Sequence, residues 1–580
     1  MKKLFLLLMV CLSAFSVKAA DLPNSFTFIG SSDFYLPVMK DASLTKVAKD
    51  TLKFTLSTAS ITLPDMTYSP MKVTVKSFTI SGLTLTPNSD GTYSCTSTGY
   101  TSTTTGTDGK EKTIKGTSLN ATYNMTTGTL TLSSTFTYGS MPMELTYEAT
   151  AYYTPGNKWN LAGQGTSTNP YRLFTATDFT SMATNYASDS NDGTGEYFQL
   201  MNDVNFGGSA TNAVQLPAIA KNADLKITAV SGGFNGTFDG NGHSISGIYH
   251  TNNANDANGK YNALFSILGK SGVVKNLTMA KDNNISSYNY VGSIVSLNMG
   301  TIEDCTNNAA VTAAGTFAGG ICGYMVNGLG TIKNCHNYGD VKASTYACGI
   351  LSGSQLGKAI TSYNYLVSNC DNHGNISTTN GTGSAGIAGS YSGTIENCHN
   401  YGTVDDATAG NSKGQYTAGI VAAYMYAVKI SGCVNDGAVK GVKTVGGIIG
   451  SIGKGDNEAV TVSSCTNNGT VTASSKNVAG ILGLASRDNV TLEGCTNNGV
   501  VTSSAPEELI GNLRGSANII LGENNVIAST LEHLVLDPDA SGIREIMVDG
   551  NCTADGKYLR DGRVVIVKNG KTYTLGGIKL

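Results

Sequence analysis

Between residues 305 and 501 one phrase, Cys-x-Asn-x-Gly/Ala-x-Val/Ile, returns seven times, and a chain with such a period has to stack on itself. The instances are CTNNAAV from Cys305, CHNYGDV from Cys335, CDNHGNI from Cys370, CHNYGTV from Cys398, CVNDGAV from Cys433, CTNNGTV from Cys465 and CTNNGVV from Cys495. Their spacings of 28 to 35 residues are those of a solenoid coil that buries itself only against its neighbours. A second phrase follows each of the first six: AGGICG from Ala318, ACGILSG from Ala347, AGIAG from Ala385, AGIVA from Ala418, VGGIIG from Val445 and AGILG from Ala479. Two short apolar strands per repeat, bounded by Gly, Asn, Ser and Thr, predict a coil with permissive corners. No segment shows sustained helical periodicity.

Coiled as a right-handed parallel β-helix, the handedness that parallel crossovers prefer, the chain stacks Cys on Cys, Asn on Asn and Val on Val at roughly 4.8 Å. Cys and the Val or Ile six positions later share a face at period two. The apolar residues three before each Cys (Ile302, Ile332, Val367, Ile395, Ile430, Val462, Leu492) cannot join them on an unbroken strand, so a bend falls beside the Cys. Asn307, Asn337, Asn400 and Asn467 suit an inward amide ladder bonded to neighbouring coils and to the turn backbone. The Gly two positions later is expected to take a positive φ.

Residues 1–19 read as a secretory signal: Lys2 and Lys3, the run LFLLLMVCL, then Val17 and Ala19 before Ala20. No later stretch approaches the ~18 apolar residues that span a bilayer. A chain of 580 residues is too long for one compact domain, and 70 glycines with only 14% charged residues fit an exported all-β protein. A net charge of −3 without a Lys/Arg cluster argues against nucleic acid or an anionic membrane as partner. Nine of the 12 cysteines occupy repeat positions, where in-register stacking points their Cβ vectors in parallel, so buried reduced thiols are expected rather than disulfides.

Residues 20–155 carry alternating strands without the repeat, among them FTFIG, LKFTLSTASITL, MKVTVKSFTISGLTLTP and MELTYEATAYYT, and predict an antiparallel β-barrel. Phe54, Leu56, Ile61, Val73, Val75, Phe78 and Ile80 would line its interior, which either holds one small apolar ligand or is filled by its own side chains. Residues 156–170, with the chain's only Trp, Trp159, read as a linker; 171–505 form the β-helix and 506–580 a C-terminal cap with a short β segment.

The motifs TNPYRLFTATDF, YFQLMNDVNF and FNGTFDGNGHSISGIY, followed by the Gly-x-Ile-x-Asn-Cys and Ala-Gly-Gly-Ile phrases, make roughly 171–505 resemble GLUG-type β-helices of gut-bacterial surface proteins. The resemblance implies the fold; such helices occur in adhesins, in accessory regions of immunoglobulin proteases and in uncharacterised surface proteins. ATYNMTTGTLTLSSTFTYGSMPMELTYEA makes the N-terminal region similar to the calycin-like, lipocalin-related domains of Bacteroides-type secreted proteins, which implies a small apolar ligand. DGKYLRDGRVVIVKNGKTYTLGGIKL at the end resembles C-terminal segments of exported Bacteroidetes proteins, some of which guide export or anchoring.

No reaction is nominated by the residues. The six histidines form no His-Glu-x-x-His, the cysteines no Cys-x-x-Cys, and the calcium-like Asp537-Pro-Asp539 loop has Val548 where a carboxylate is needed. Asp340, Glu396, Asp405, Asp406 and Asp436 do not recur in phase, so no catalytic pair emerges. One outer-face constellation does. Three residues after each Cys come Asn308, Tyr338, His373, Tyr401, Asp436, Asn468 and Asn498, which should stack Tyr338, His373 and Tyr401 as an exposed aromatic strip offering flat faces to sugar rings. An aromatic ladder that only steadies the coils has the same sequence pattern. Beside it, His336, Asp371 and His399 are expected too far apart along the stack to chelate a metal. The expectation is therefore an all-β, exported, non-enzymatic adhesin-like protein. It would bind a glycan or extracellular protein ligand at Tyr338, His373 and Tyr401, with no catalytic residue, cofactor or metal. The competing readings are a carbohydrate-active enzyme on the β-helix and a structural spacer.

Overall fold

The computed structural model describes residues 25–513 except for short stretches such as 407–414 and 454–458, together with isolated strands up to residue 574; the signal segment lies outside the described residues. Two compact units emerge, one of residues 1–175 with 196–198, the other of the remainder.

The first unit is an antiparallel sheet curled into a half-barrel, in the order Phe78–Ile80, Ser60–Leu63, Thr45–Thr55, Ser25–Tyr35, Met141–Tyr153, Leu130–Tyr138, Glu111–Asn124, Thr92–Ser97 and Thr84–Pro87, with Tyr100–Thr105 also paired to Glu111–Asn124. Of the expected lining residues, Ile61, Val75, Phe78 and Ile80 are buried and Val73 is half-buried; the side chains of Phe54 and Leu56 lie outside the described residues. Aromatic side chains fill the interior. Phe136 stacks on Phe34 at 6.2 Å and meets Phe78 edge-on at 5.4 Å, and Phe28 meets Tyr123 at 5.4 Å. Tyr100–Thr105 approaches Phe78–Ile80 through side chains: Ser102 Oγ donates to the Thr79 carbonyl at 2.7 Å, and Thr104 Oγ1 to those of Lys76 and Ser77 at 2.9 and 3.1 Å. Trp159, in the segment expected to be a linker, is fully buried: its indole N–H donates to Glu196 at 2.6 Å and its ring packs on Phe198.

The second unit is a parallel β-solenoid. Its first coil is covered by an α-helix, Ala176–Tyr186, absent from the sequence reading, whose Phe179 packs on Phe206 and Phe238. An apolar pair at i and i+3, Phe179 and Met182, both buried, is what makes this short segment amphipathic. Each repeat contributes more than the two straight segments expected: its strands belong to four sheets. One sheet aligns the apolar column Ile302, Ile332, Val367, Ile395, Ile430, Val462 and Leu492. A second carries the residues just after each Cys, and a third aligns Val311, Val341, Ile376, Val404, Val439, Val471 and Val501. The fourth holds Phe317–Gly319, Tyr346–Cys348 and their successors.

The extra corners explain the repeat. The residue before each Cys (Asp304, Asn334, Asn369, Asn397, Gly432, Ser464, Gly494) is left-handed, with φ between 51° and 63°. Asn, Asp and Gly are the types that tolerate this conformation, and none of these seven is β-branched. The Gly two after the repeat Asn is not the left-handed residue, contrary to expectation. A Cβ on Gly374, Gly402 or Gly437 would strike the carbonyl oxygen of the equivalent glycine one coil earlier, so close approach rather than dihedral freedom selects glycine.

Inside the corner the amide ladder forms over the whole array. Each Nδ2 donates to the next coil's Oδ1 at 2.7–2.8 Å, from Asn307 through Asn337, Asn372, Asn400, Asn435 and Asn467 to Asn497. The same Nδ2 also donates to the carbonyl two residues on, at 2.8–2.9 Å from Asn307 through Asn467. The two phrases are linked here: a Cβ on Gly349, Gly386 or Gly419 would collide with Asn372, Asn400 or Asn435. The seven leading cysteines are buried free thiols, each sulfur 3.2–3.5 Å from the carbonyl two residues earlier. Burial pushes the neighbouring Cys322 and Cys348 thiols well above their ordinary range, which keeps them unreactive.

Asp406 is a buried exception to the apolar interior. Burial raises its carboxyl above the usual range, although Thr378 N and Oγ1 donate to it at 3.0 and 2.7 Å and Thr417 at 3.3 Å. An acid raised in the folded state favours folding while protonated, and that contribution fades as pH rises through its folded value. Asp406→Asn should therefore flatten the loss of thermal stability between acid and neutral pH; an unchanged slope in melts across that range would assign the dependence elsewhere.

Candidate functional site

The strip three residues after each Cys lies at the corner between the second and third sheets, and its side chains face outward: Tyr338 is 51% and Tyr401 46% exposed, and His373 is exposed as well. Each is the residue following the buried Asn of the ladder, and alternation along the backbone turns it out where the Asn turns in. Tyr338 stacks on His373 with centroids 4.5 Å apart and 10° between planes, and His373 on Tyr401 at 4.4 Å and 8°. His399, two positions before Tyr401, stacks on it at 3.8 Å and 20°.

This tight stacking changes what the strip can do. His373 is sandwiched between two tyrosines and Tyr401 between two imidazoles, so of the flat faces expected to meet sugar rings only the face of Tyr338 turned away from His373 is left without a ring on it among the described residues. The rims remain for a ligand, with their hydroxyls and ring nitrogens. The strip continues as a hydrogen-bonded chain: His399 Nε2 meets Asp436 Oδ2 at 2.7 Å, Asn468 Nδ2 donates to Asp436 Oδ1 at 2.7 Å, and Asn498 Nδ2 to Asn468 Oδ1 at 2.8 Å. Burial pushes the Asp436 carboxyl up, but the contacts from Asn468 and His399 outweigh it and hold it below the usual range.

His336, Asp371 and His399 do not converge. His336 Nδ1 meets Asp371 Oδ2 at 2.8 Å, whereas His399 turns to Asp436. Asp371 Oδ1 is buried without a hydrogen bond; His373 Nε2 lies 3.4 Å away, close enough for charge attraction but not aligned to donate. Among the described residues no group of three or more His, Cys, Asp or Glu is arranged to hold a metal. Spacing alone does not reveal the stacking of His399 on Tyr401: the same His-Asn-Tyr spelling follows Cys335, yet there His336 turns to Asp371.

On the half-barrel, a groove of about 430 Å³ is lined by Thr27, Asp50, Lys53, Thr62, Asp65 and Ser77 among others. Its two acids differ. Burial raises Asp50, which accepts from Ser32 at 2.6 Å, while hydrogen bonds from Lys76 and Ser77 hold Asp65 below the usual range.

No family model matches the chain. Halomucin of Haloquadratum walsbyi is 32% identical over 171 residues, which is 29% of this chain and 2% of that protein. A "putative Gly-rich membrane protein" of Evansella cellulosilytica is 29% identical over 150 residues, 24% of this chain and 15% of that protein. The chain thus matches only a small part of either relative. Among solved structures, that of a "putative immunoglobulin A1 protease" from Bacteroides ovatus aligns with 65% of this chain and 85% of its own, at 19% identity and a TM-score of 0.32. Among the described residues no helix is long and apolar enough to cross a membrane.

Proposed function

We propose that this protein is an exported, surface-exposed, non-enzymatic adhesin-like protein that binds a glycan or another extracellular ligand along one flank of its solenoid. The observation that carries the reading is the continuous outward strip Tyr338, His373, Tyr401, Asp436, Asn468 and Asn498. It is joined by ring stacking and hydrogen bonds across successive coils while the Cys, Asn and Val columns around it are consumed by packing. Tyrosine hydroxyls, imidazole nitrogens and amides at one rung per coil suit a polar polymer lying parallel to the solenoid axis. The GLUG-like and calycin-like resemblances and the signal-like start accord with a surface location, and the half-barrel serves as an accessory module.

The test is a glycan array probed with the full chain and with Tyr338→Ala/Tyr401→Ala. Loss of about tenfold or more in the bound signal is expected, since aromatic anchors carry a disproportionate share of binding energy. An unaltered signal removes the strip from the site. Product release from a polysaccharide panel would favour the carbohydrate-active enzyme instead.

A further inference from the structure

Three of the chain's six histidines, His336, His373 and His399, fall on three consecutive coils of this flank, against two carboxylates. His336 presents Nδ1 to Asp371 and His399 presents Nε2 to Asp436. A carboxylate accepts only from a protonated nitrogen, so the neutral tautomer of each ring is fixed with its proton on that side. The second nitrogen, His336 Nε2 and His399 Nδ1, makes no hydrogen bond among the described residues and is a lone-pair acceptor. An added proton has only that nitrogen to go to. Protonation therefore converts each free ring nitrogen from an acceptor that repels an anion into a charged donor that attracts one.

The charge count points the same way. With neutral imidazoles the group carries two negative charges, on Asp371 and Asp436; with His336 and His399 protonated it is neutral, and with His373 protonated as well it carries a net single positive charge. His373⁺ would face Asp371 Oδ1, the buried oxygen that lacks a hydrogen bond, and would lie between the faces of Tyr338 and Tyr401, which favour a cation. The carboxylates are already engaged, Asp436 by His399 and Asn468 and Asp371 by His336, so they compete little with an incoming anion. The nearest charged residues along the chain are Glu303 paired to Lys333, Asp304 and Glu396 before the Cys corner, and Asp340, Lys342 and Asp405 paired to Lys440 after it.

We infer that the strip binds anionic glycans, those bearing sulfate or uronate groups, and that it takes up protons at His336 and His399 as it does so. The inference rests on the glycan-binding reading above. Histidine changes charge between about pH 5 and 8, which sets the window. A sulfated oligosaccharide keeps its charge across that window, so its binding to the full chain, measured by calorimetry at about pH 5.5 and about pH 7.5, isolates the protein's contribution. Affinity should rise about tenfold at the lower pH, with proton uptake visible as a buffer-dependent heat, while the neutral oligosaccharide of the same backbone shows no such change. His336→Gln/His399→Gln, which keeps a polar planar group at each position, should remove most of the rise and of the proton uptake, leaving only the share of His373. A rise of the same size in that double variant would overturn the inference and assign it to the overall gain of positive charge on acidification. Binding of the neutral glycan alone, dependent on Tyr338 and Tyr401 and indifferent to pH, would overturn this inference and leave the broader one standing. Binding of neither glycan at either pH would sink both.

Discussion

Asn372→Ala should destabilise the solenoid by about 3–5 kcal/mol, among the largest effects of any single truncation in the array. The amide is completely buried and makes three hydrogen bonds: Nδ2 donates to the Gly374 carbonyl at 2.9 Å and to Asn400 Oδ1 at 2.8 Å, and Oδ1 accepts from Asn337 at 2.7 Å. Removing it strands one donor and two acceptors where water has no access, each at a cost of roughly 1–3 kcal/mol. Asn372→Asp should cost more, because it sets a carboxylate against two acceptors and buries a charge. Coils touch only their neighbours, so the damage should be local. Hydrogen exchange should show protection falling around residues 336–404, with the half-barrel unchanged, and the urea unfolding of the solenoid should broaden or split. A loss below about 1 kcal/mol would mean that the ladder amides are individually dispensable and that the cooperative reading of the column is wrong.

Much of this architecture is legible in the sequence because identity recurs in phase. Ile302, Ile332 and Val367 end up paired residue for residue, as do Asn337 and Asn372, and a slip of one position would turn every one of them to the wrong face. Geometry that depends on where the backbone spends its special dihedrals is less visible. The residue before each Cys varies among Asp, Asn, Gly and Ser, so its shared left-handed conformation hides behind four names, while the invariant-looking Gly draws attention to a position whose φ is ordinary. The candidate strip divides in the same way. Membership of the column follows from spacing, so Tyr338, His373 and Tyr401 could be placed side by side. Ring tilt does not follow from spacing, and tilt covers both faces of His373 and Tyr401 and leaves chiefly rims and nitrogens for a ligand. The half-barrel repeats nothing, so its hydroxyl contacts from Ser102 and Thr104 had no periodic signal to reveal them.

Gly402→Ala should cost about 2–4 kcal/mol, whereas Asn397→Gly, one corner earlier in the same coil, should change stability by no more than about 0.5 kcal/mol. At Gly402 the obstacle is rigid: a methyl group would enter the carbonyl oxygen of Gly374 and press on Asn372 Nδ2, and neither can withdraw without parting two coils or breaking the amide ladder. φ at Gly402 lies outside the left-handed region, so the penalty is the clash itself and not backbone strain. At Asn397 the constraint is the dihedral alone, φ 53°, which glycine adopts freely; Asn397→Val should instead lose about 1–2 kcal/mol. The two positions also separate in double variants. Gly402→Ala and Asn372→Ala act on the same contact and should be less than additive, while Asn397→Val lies on the other side of the Cys and should add to either. Chemical denaturation of the four single variants and the three doubles measures this directly. Equal penalties for Gly402→Ala and Asn397→Gly would restore the view that the repeat glycine is selected for its conformation, and with it a corner placed after the Asn rather than before the Cys.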